Sequence, residues 1–243
     1  MSRVHKGGVL AAAFEALLPG MCPHCDHPLR GFDRGLCGAC WSMMVPRAGM
    51  TCARCGIPMD ASEEGCLECA RKPPPQEATV VWGEHDGVLR TAVLELKHRN
   101  RDDLATSLGG RLAAAVASQP WASSIDTVCF VPSHPIQRLR RSWVAAERLA
   151  HEVGRRLHRP VAGLLRRRGL WRQTGRSRAQ RLHLPTHSFK AAPAAKGQHL
   201  LLIDDVTTTG TTLQRASRAL LRAGAQSVSC AVLAFAPDSR RYP

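Results

Sequence analysis

The run from His199 to Arg222, HLLLIDDVTTTGTTLQRASRALLR, admits few folds. Leu200, Leu201, Leu202 and Ile203 are consecutively apolar with no turn residue among them, the pattern of a strand buried on both faces of a parallel sheet. Asp204 and Asp205 are expected to end that strand. Thr207, Thr208, Thr209, Gly210, Thr211 and Thr212 follow, and from Leu213 the apolar residues Leu213, Ala216, Ala219, Leu220 and Ala223 recur at helical spacing. Strand, polar loop and helix are therefore expected in that order. A loop of small hydroxyl residues around a glycine, opening onto a helix N-terminus, aims unpaired backbone N–H groups, O–H donors and the positive helix end at one point, which suits a phosphate. A simple helix cap needs one such residue. Here two adjacent acids and five threonines crowd one glycine.

The first third of the chain carries a second constraint. Eight of the chain's ten cysteines lie there and form four C-x-x-C pairs: Cys22 and Cys25, Cys37 and Cys40, Cys52 and Cys55, Cys66 and Cys69. A two-residue gap lets both thiolates of a knuckle reach one tetrahedral zinc, and the loops between pairs are long enough to bring a second knuckle round. Disulfides are the alternative, but no export signal is evident and cytosolic thiols stay reduced. Residues 22–69 hold too few large apolar side chains to fold alone, so two structural Zn²⁺ are expected to build this part. Sequential pairing of the knuckles is preferred to a cross-brace, which spacing alone leaves open. Gly38 and Gly56 suit tight turns after their cysteines, and His24 and His27 read as exposed knuckle residues rather than ligands. Cys129 and Cys230, in apolar runs, read as small core residues.

Lys72, Pro73, Pro74 and Pro75 form a stiff linker, which suggests two domains, 1–72 and 73–243. Beyond it, strands are expected at Ala78–Trp82, Thr127–Val131, Val161–Leu165, Leu200–Ile203 and Ser227–Ala234. Helices are expected at Val88–Leu96, Leu104–Val116, Trp143–Leu157 and Leu213–Leu221. Alternating strands and helices give an α/β fold, a doubly wound parallel sheet flanked by helices, with ligands beyond the carboxyl ends of its strands, where 132–135 and 204–212 meet. Val9 to Leu18 is short, is interrupted by Glu15 and places Leu10, Phe14, Leu17 and Leu18 on one helical face, so an amphipathic helix is expected there, with no membrane insertion and a cytoplasmic location.

The formal charge is +15, with 29 Arg against 5 Lys. Part of that ratio reflects codon usage, but its distribution is uneven: Arg138 to Arg181 contains 14 Arg and only two acids, Glu147 and Glu152. Such a field attracts polyanions, diphosphate or nucleic acid.

LLIDDVTTTGTT resembles the phosphoribosyl-diphosphate (PRPP) signature of type I phosphoribosyltransferases. The resemblance implies that Asp204 and Asp205 hold the ribose hydroxyls and act as the catalytic pair, and that Thr208, Thr209, Gly210, Thr211 and Thr212 cradle the 5-phosphate. The whole layout resembles one branch, the ComF family, which joins an N-terminal double zinc ribbon to a PRPP-binding domain. The likeness rests on the four knuckles, the KPPP linker, LKHRN at 96–100, FVPSHPIQRLRR at 130–141, QTGRSRAQR at 173–181 and the PRPP loop. It implies a phosphoribosyltransferase linked to DNA uptake in natural competence. The partners expected are then PRPP with Mg²⁺, and either single-stranded DNA or proteins of the competence machinery.

Ser133, His134, Arg138, Arg140 and Arg141 are the candidates to hold the diphosphate leaving group by charge-assisted hydrogen bonds. Where the family has Arg-Gly-Phe-Asn-Gln, this chain has Arg141, Ser142, Trp143, Val144 and Ala145, which removes a flexible glycine and two amides near the diphosphate loop. PRPP binding is thus the firmer expectation, and turnover the weaker one. No acid lies between Val161 and Lys190 to serve as a base, which leaves His183 and His187 as candidates. A different reading makes the chain a nucleic-acid-binding accessory protein whose ribbons and arginines, Arg166, Arg167 and Arg168 among them, grip DNA while the PRPP site is regulatory or vestigial.

Overall fold

The computed structural model describes residues 20–29, 33, 35–60, 65–98, 101–133, 145–167 and 189–237. The helix expected at Val9–Leu18 lies outside them. In chain order the described elements are helices α1 (Gly38–Met43) and α2 (Leu67–Arg71), strand β1 (Ala78–Glu84), helices α3 (Gly87–His98) and α4 (Asp102–Ala117), strand β2 (Thr127–Phe130), helix α5 (Ala145–Leu157), strands β3 (Leu165–Arg167), β4 (Phe189–Ala191) and β5 (His199–Thr207), helix α6 (Thr211–Arg222) and strand β6 (Ser227–Phe235).

Four strands make one sheet in the order β1-β6-β5-β2, every neighbouring pair parallel. Side chains alternate across a strand, and both faces of this sheet are covered. Leu201, Ile203, Ala231 and Leu233 face α3, α4 and α5, whereas Leu200, Leu202, Cys230 and Val232 face α6 and the antiparallel ribbon of β3 and β4. The continuous apolar run at 200–203 is thus explained by burial on two sides, with each of its residues 1% exposed or less. Cys129 and Cys230 are core residues, as expected.

Two strand expectations need correction. Asp204 and Asp205 do not end β5. The ladder with β6 continues through Asp204↔Val232, Val206↔Ala234 and Thr207↔Phe235, because β6 offers hydrogen-bonding partners well beyond the acids. A strand stops where its neighbour stops, and charge at one position does not decide it. Nor is Val161–Leu165 a strand of the sheet: Val161 makes a single bridge to Val128, after which the chain turns away and pairs Leu165–Arg167 antiparallel with Phe189–Ala191.

β1 is an edge strand, and an open edge invites pairing with other chains. Here the ribbon region covers it. The Arg47 N–H donates to the Trp82 carbonyl at 2.7 Å, and the Thr79 N–H donates to the Ala53 carbonyl at 2.8 Å. Pro74 and Gln76 are buried, so the passage from ribbon to sheet is anchored at two points, while Lys72, Pro73 and Glu77 are exposed.

Candidate functional site

The two ribbons repeat one construction. Met21 and Pro28 bridge antiparallel around Cys22 and Cys25, and Thr51 and Pro58 do the same around Cys52 and Cys55. In each knuckle the residue after the second cysteine, Asp26 or Gly56, takes a positive φ of 56° or 74°. The N–H of that residue donates to the carbonyl of the first cysteine, at 2.9 Å from Asp26 to Cys22 and 2.8 Å from Gly56 to Cys52. The other half of each site is a short helix. Cys37 and Cys66 stand immediately before α1 and α2, with Cys40 and Cys69 one turn on. Gly38 is therefore the first residue of a helix, where the sequence suggested a tight turn, while Gly56 is the turn residue anticipated.

The thiols gather sequentially, Cys22, Cys25, Cys37 and Cys40 in one group and Cys52, Cys55, Cys66 and Cys69 in the other. Four sulfurs at about 2.3 Å from one tetrahedral zinc lie about 3.8 Å apart. Here Cys25 and Cys37 are 3.6 Å apart, Cys25 and Cys40 3.5 Å, Cys52 and Cys69 3.7 Å, and Cys55 and Cys66 3.6 Å. Burial, foremost, pushes the Cys40, Cys55 and Cys69 thiols up, Cys69 to about 12. A dication reverses that cost by pairing the thiolates. The donor set thus fits structural Zn²⁺, with four sulfurs and no open position. Both groups consist of cysteines alone, and the exposed His24 ring lies 3.1 Å from the Thr91 hydroxyl of α3.

The second site lies at the carboxyl ends of the strands. Pairing of Phe130 with Ile203, extended by the Val131 N–H donating to the Ile203 carbonyl at 2.9 Å, sets residues 131–133 beside Asp204. Asp204 accepts the Asp205 N–H at 2.9 Å. Burial, then the like charge of Asp205, pushes the Asp204 carboxyl up to about 8. Asp205 is held differently, by the Lys97 ammonium at 2.9 Å, with only 16% of its side chain exposed. After Thr207 the chain turns through Thr208 and Thr209 to Gly210, whose φ of 68° is left-handed, and α6 begins at Thr211. The Thr209 and Thr211 hydroxyls lie 2.8 Å apart, and Thr208, Thr211 and Thr212 are exposed. The carboxylate pair, the hydroxyls and the unpaired first N–H groups of a twelve-residue helix thus meet at one end of the sheet.

Other side chains join them without a local signal in the sequence. Arg167 of β3 donates from Nε to the Pro132 carbonyl at 2.9 Å, lies 5.3 Å over the Phe189 ring and is close enough to Asp204 for their charges to act on each other. Burial lowers its pKa. Its side chain is therefore built into the site, whereas Arg166 beside it is exposed. Lys97 falls in LKHRN, the one stretch that could have flagged it. The Ser133 hydroxyl is buried with no hydrogen-bond partner among the described residues. His134, Arg138, Arg140, Arg141, Arg168, His183 and His187 lie outside the described residues.

Several described arginines of the basic stretch are likewise engaged within the protein. Arg155 and Arg156 both bind Glu152, Arg148 pairs with Asp102, and Arg159 donates to the Ser123 carbonyl. The strong positive field inferred from composition is partly spent on internal pairs.

A parallel sheet ending in an acidic pair and a hydroxyl loop, with two four-cysteine groups docked on its edge and face, defines a double zinc ribbon joined to a phosphoribosyltransferase-type domain. The sequence-family models agree: the double zinc ribbon domain matches residues 13–70 and the phosphoribosyl transferase domain residues 139–243. The chain thus carries a double zinc ribbon domain followed by a phosphoribosyl transferase domain. It is 28% identical over 216 residues, 87% of this chain and 95% of the other, to the DNA utilization protein YhgH of Escherichia coli (strain K12). It is 24% identical over 215 residues, 85% of this chain and 93% of the other, to Competence protein F of Haemophilus influenzae. A solved structure, that of the allosteric regulatory enzyme of purine biosynthesis, shares 20% identity over 58% of this chain and 30% of that one, at a TM-score of 0.39. No helix among the described residues is long and apolar enough to cross a membrane.

Proposed function

We propose that this protein binds PRPP with Mg²⁺ at the carboxyl end of its sheet and acts as a phosphoribosyltransferase in the handling of DNA, the role that the names of its relatives suggest. Asp204 and Asp205 take the ribose hydroxyls, and Thr208, Thr209, Gly210, Thr211 and Thr212 take the 5-phosphate. Ser133, with His134, Arg138, Arg140 and Arg141, takes the diphosphate. The observation that carries this reading is the convergence of the two carboxylates with the Gly210 turn and the start of α6. Hydroxyls and N–H groups there are placed to hold a dianion, and carboxylates one step away are placed to hold a diol. The boundary at 72/73 separates the metal-built part from this part, and the location is cytoplasmic.

Lys97 has a role in the same reading. A buried carboxylate left unpaired is costly, and the ammonium on Asp205 meets that cost until a ligand arrives. Binding of the ribose then exchanges an ion pair for hydroxyl donors. Mg²⁺ bound with the substrate supplies charge neutralisation for the departing diphosphate, and Arg167 holds Asp204 and the backbone at Pro132 in position.

Calorimetry with PRPP and Mg²⁺ tests the proposal. Binding is expected for the parent chain and loss of binding for the double variant Asp204→Asn, Asp205→Asn. Equal affinity in the two would remove the site from these residues.

A further inference from the structure

A cavity of about 580 Å³ opens along the outer edge of β1. It is lined by Trp82 of β1, by Arg111 and Ala114 of α4, by Ser118, Gln119 and Trp121 just beyond that helix, and by Arg47 and its neighbours from the segment joining the ribbons. β6 stands between β1 and β5, and the cavity shares no wall with Asp204, Asp205 or the threonine loop. Its volume is that of a small-molecule site.

Arg111 sets the charge at one end. Its guanidinium lies over two indoles, 5.2 Å from the centre of the Trp41 ring and 5.6 Å from that of Trp82. Its hydrogen bond from Nη2 to the Trp41 carbonyl is long, at 3.5 Å, and no carboxylate among the described residues pairs with it. No Asp or Glu among the described residues lines the cavity. A guanidinium stiffened by aromatic faces and left without a counter-charge is a preformed fork for an anion. Arg47, the other arginine of the wall, is already paired with Glu84 at 2.7 Å. One free cation suits one phosphate rather than the row of phosphates that a strand presents.

The far end has the opposite polarity. Ser118 and Gln119 stand at the negative end of α4, about 10 Å of helix from Arg111. The Gln119 amide nitrogen donates to the Ala115 carbonyl at 3.2 Å and to the Ser118 hydroxyl at 3.4 Å. Both of its protons are thus spent on the helix end, and Gln119 offers a ligand only its carbonyl oxygen. Trp121, partly exposed, adds an aromatic face beside that acceptor. A molecule that fits this wall is anionic at one end and carries a flat ring with N–H donors at the other.

We infer that the cavity binds a nucleoside monophosphate whose base bears an amino group, its phosphate on Arg111, its ring against Trp121 and its amino N–H donating to the Gln119 carbonyl. The occupant sits where the segment joining the ribbons meets the sheet edge, so it braces one against the other. The inference is independent of the PRPP reading.

The probes are AMP and CMP, with IMP and UMP as counterparts that carry a carbonyl in place of the amino group. Each is titrated by calorimetry into the full zinc-loaded chain. AMP or CMP is expected to bind about tenfold more tightly than its counterpart, since one hydrogen bond distinguishes them. The threonine loop also suits a nucleotide phosphate, so the titrations are repeated in the Asp204→Asn, Asp205→Asn variant, where the affinities should be unchanged. Ala114→Phe, at an exposed position of α4 on the cavity wall, fills the space without entering the core and should abolish binding. Arg111→Lys keeps a cation but loses the fork and should weaken every nucleotide about tenfold, equivalent to roughly 1.4 kcal/mol. Gln119→Met should leave AMP and IMP bound alike. Absence of AMP and CMP binding, equal affinity of the parent for AMP and IMP, loss of binding in the acid-pair variant, or undiminished binding in Ala114→Phe would each overturn the inference. A single-stranded oligonucleotide that displaces AMP from the parent at lower concentration than AMP itself would overturn it too, by assigning the cavity to a strand.

Discussion

The two zinc ribbons share a knuckle, a positive-φ residue and a cysteine-led helix, yet they are attached to the rest of the protein by different forces. The first joins the main hydrophobic core. Cys22, Leu36, Cys37, Cys40 and Met44 are each 5% exposed or less and belong to the same cluster as α3, α4 and α5. The second is fastened mainly by hydrogen bonds along β1. The Thr79 hydroxyl donates to the Arg54 carbonyl at 2.8 Å, Arg54 Nε donates to the Gln76 carbonyl at 3.2 Å, and the Gln76 amide lies 3.4 Å from the Thr79 hydroxyl. Cys66 and Cys69 remain partly exposed. One metal-built unit thus serves as a wall of the core in one copy and as the cover of a sheet edge in the other. A module whose own fold comes from its metal is free to be attached in either way, because its neighbours need not supply its stability.

The widest separation is expected when each metal is removed in turn. A structural zinc is worth on the order of 10 kcal/mol to its fold. Cys37→Ser should lose one zinc and unfold the sheet domain with the first ribbon, since the core loses a wall. Cys69→Ser should lose the other zinc while the sheet still melts cooperatively, with β1 bared and self-association raised. Zinc content, thermal melting and light scattering report these outcomes, and identical melting of the two variants would break the comparison.

Two glycines probe the same contrast more gently. A Cβ on Gly35, already at φ 76°, would meet Leu104 Cδ2 at 2.4 Å, and Leu104 is fully buried in α4. A Cβ on Gly56, at φ 74°, would meet Val81 Cγ2 at 2.7 Å on β1, a side chain only partly buried and able to yield. Gly35→Ala is expected to cost about 2–4 kcal/mol and Gly56→Ala about 1–3 kcal/mol, measured by urea denaturation.

Asp204→Asn sharpens the comparison from outside, because it touches neither ribbon. The Asp204 carboxyl is raised in the folded chain to about 8, so the folded state holds a proton that the unfolded state releases near the ordinary carboxylate value. The stability this contributes is present in acid and is lost as pH rises through about 8. The neutral Asn avoids that loss. The variant should gain on the parent progressively as pH rises from about 4 to about 8 and hold that advantage at pH 9, about 1 kcal/mol or more in its favour, with the zinc content unchanged. Melting curves that run parallel across this range would show that Asp204 titrates normally.

Thr79→Val gives the smallest effect, about 1 kcal/mol, since it removes one hydrogen bond that fastens the second ribbon and keeps the shape. Hydrogen exchange should speed up at Ala53 to Gly56 and leave the first ribbon unchanged.

Much of this architecture could be read locally. C-x-x-C spacing constrains two sulfurs through two intervening residues, so the four knuckles were legible in the chain, while their sequential grouping into two sites was decided by the fold. The apolar run at 200–203 and the helical spacing from Leu213 also placed a strand and a helix on either side of the threonine loop, because strand and helix periods belong to short windows. Tertiary structure decided the rest. Only the ladder with β6 carries β5 past Asp204 to Thr207, only the fold brings Lys97 and Arg167 to the acids, and only packing turns Arg47, an ordinary basic residue in sequence, into a largely buried partner of Glu84 and Phe235. These outcomes depend on which distant segments meet and on how little water is left between them, and that information is not contained in the pattern of any single stretch.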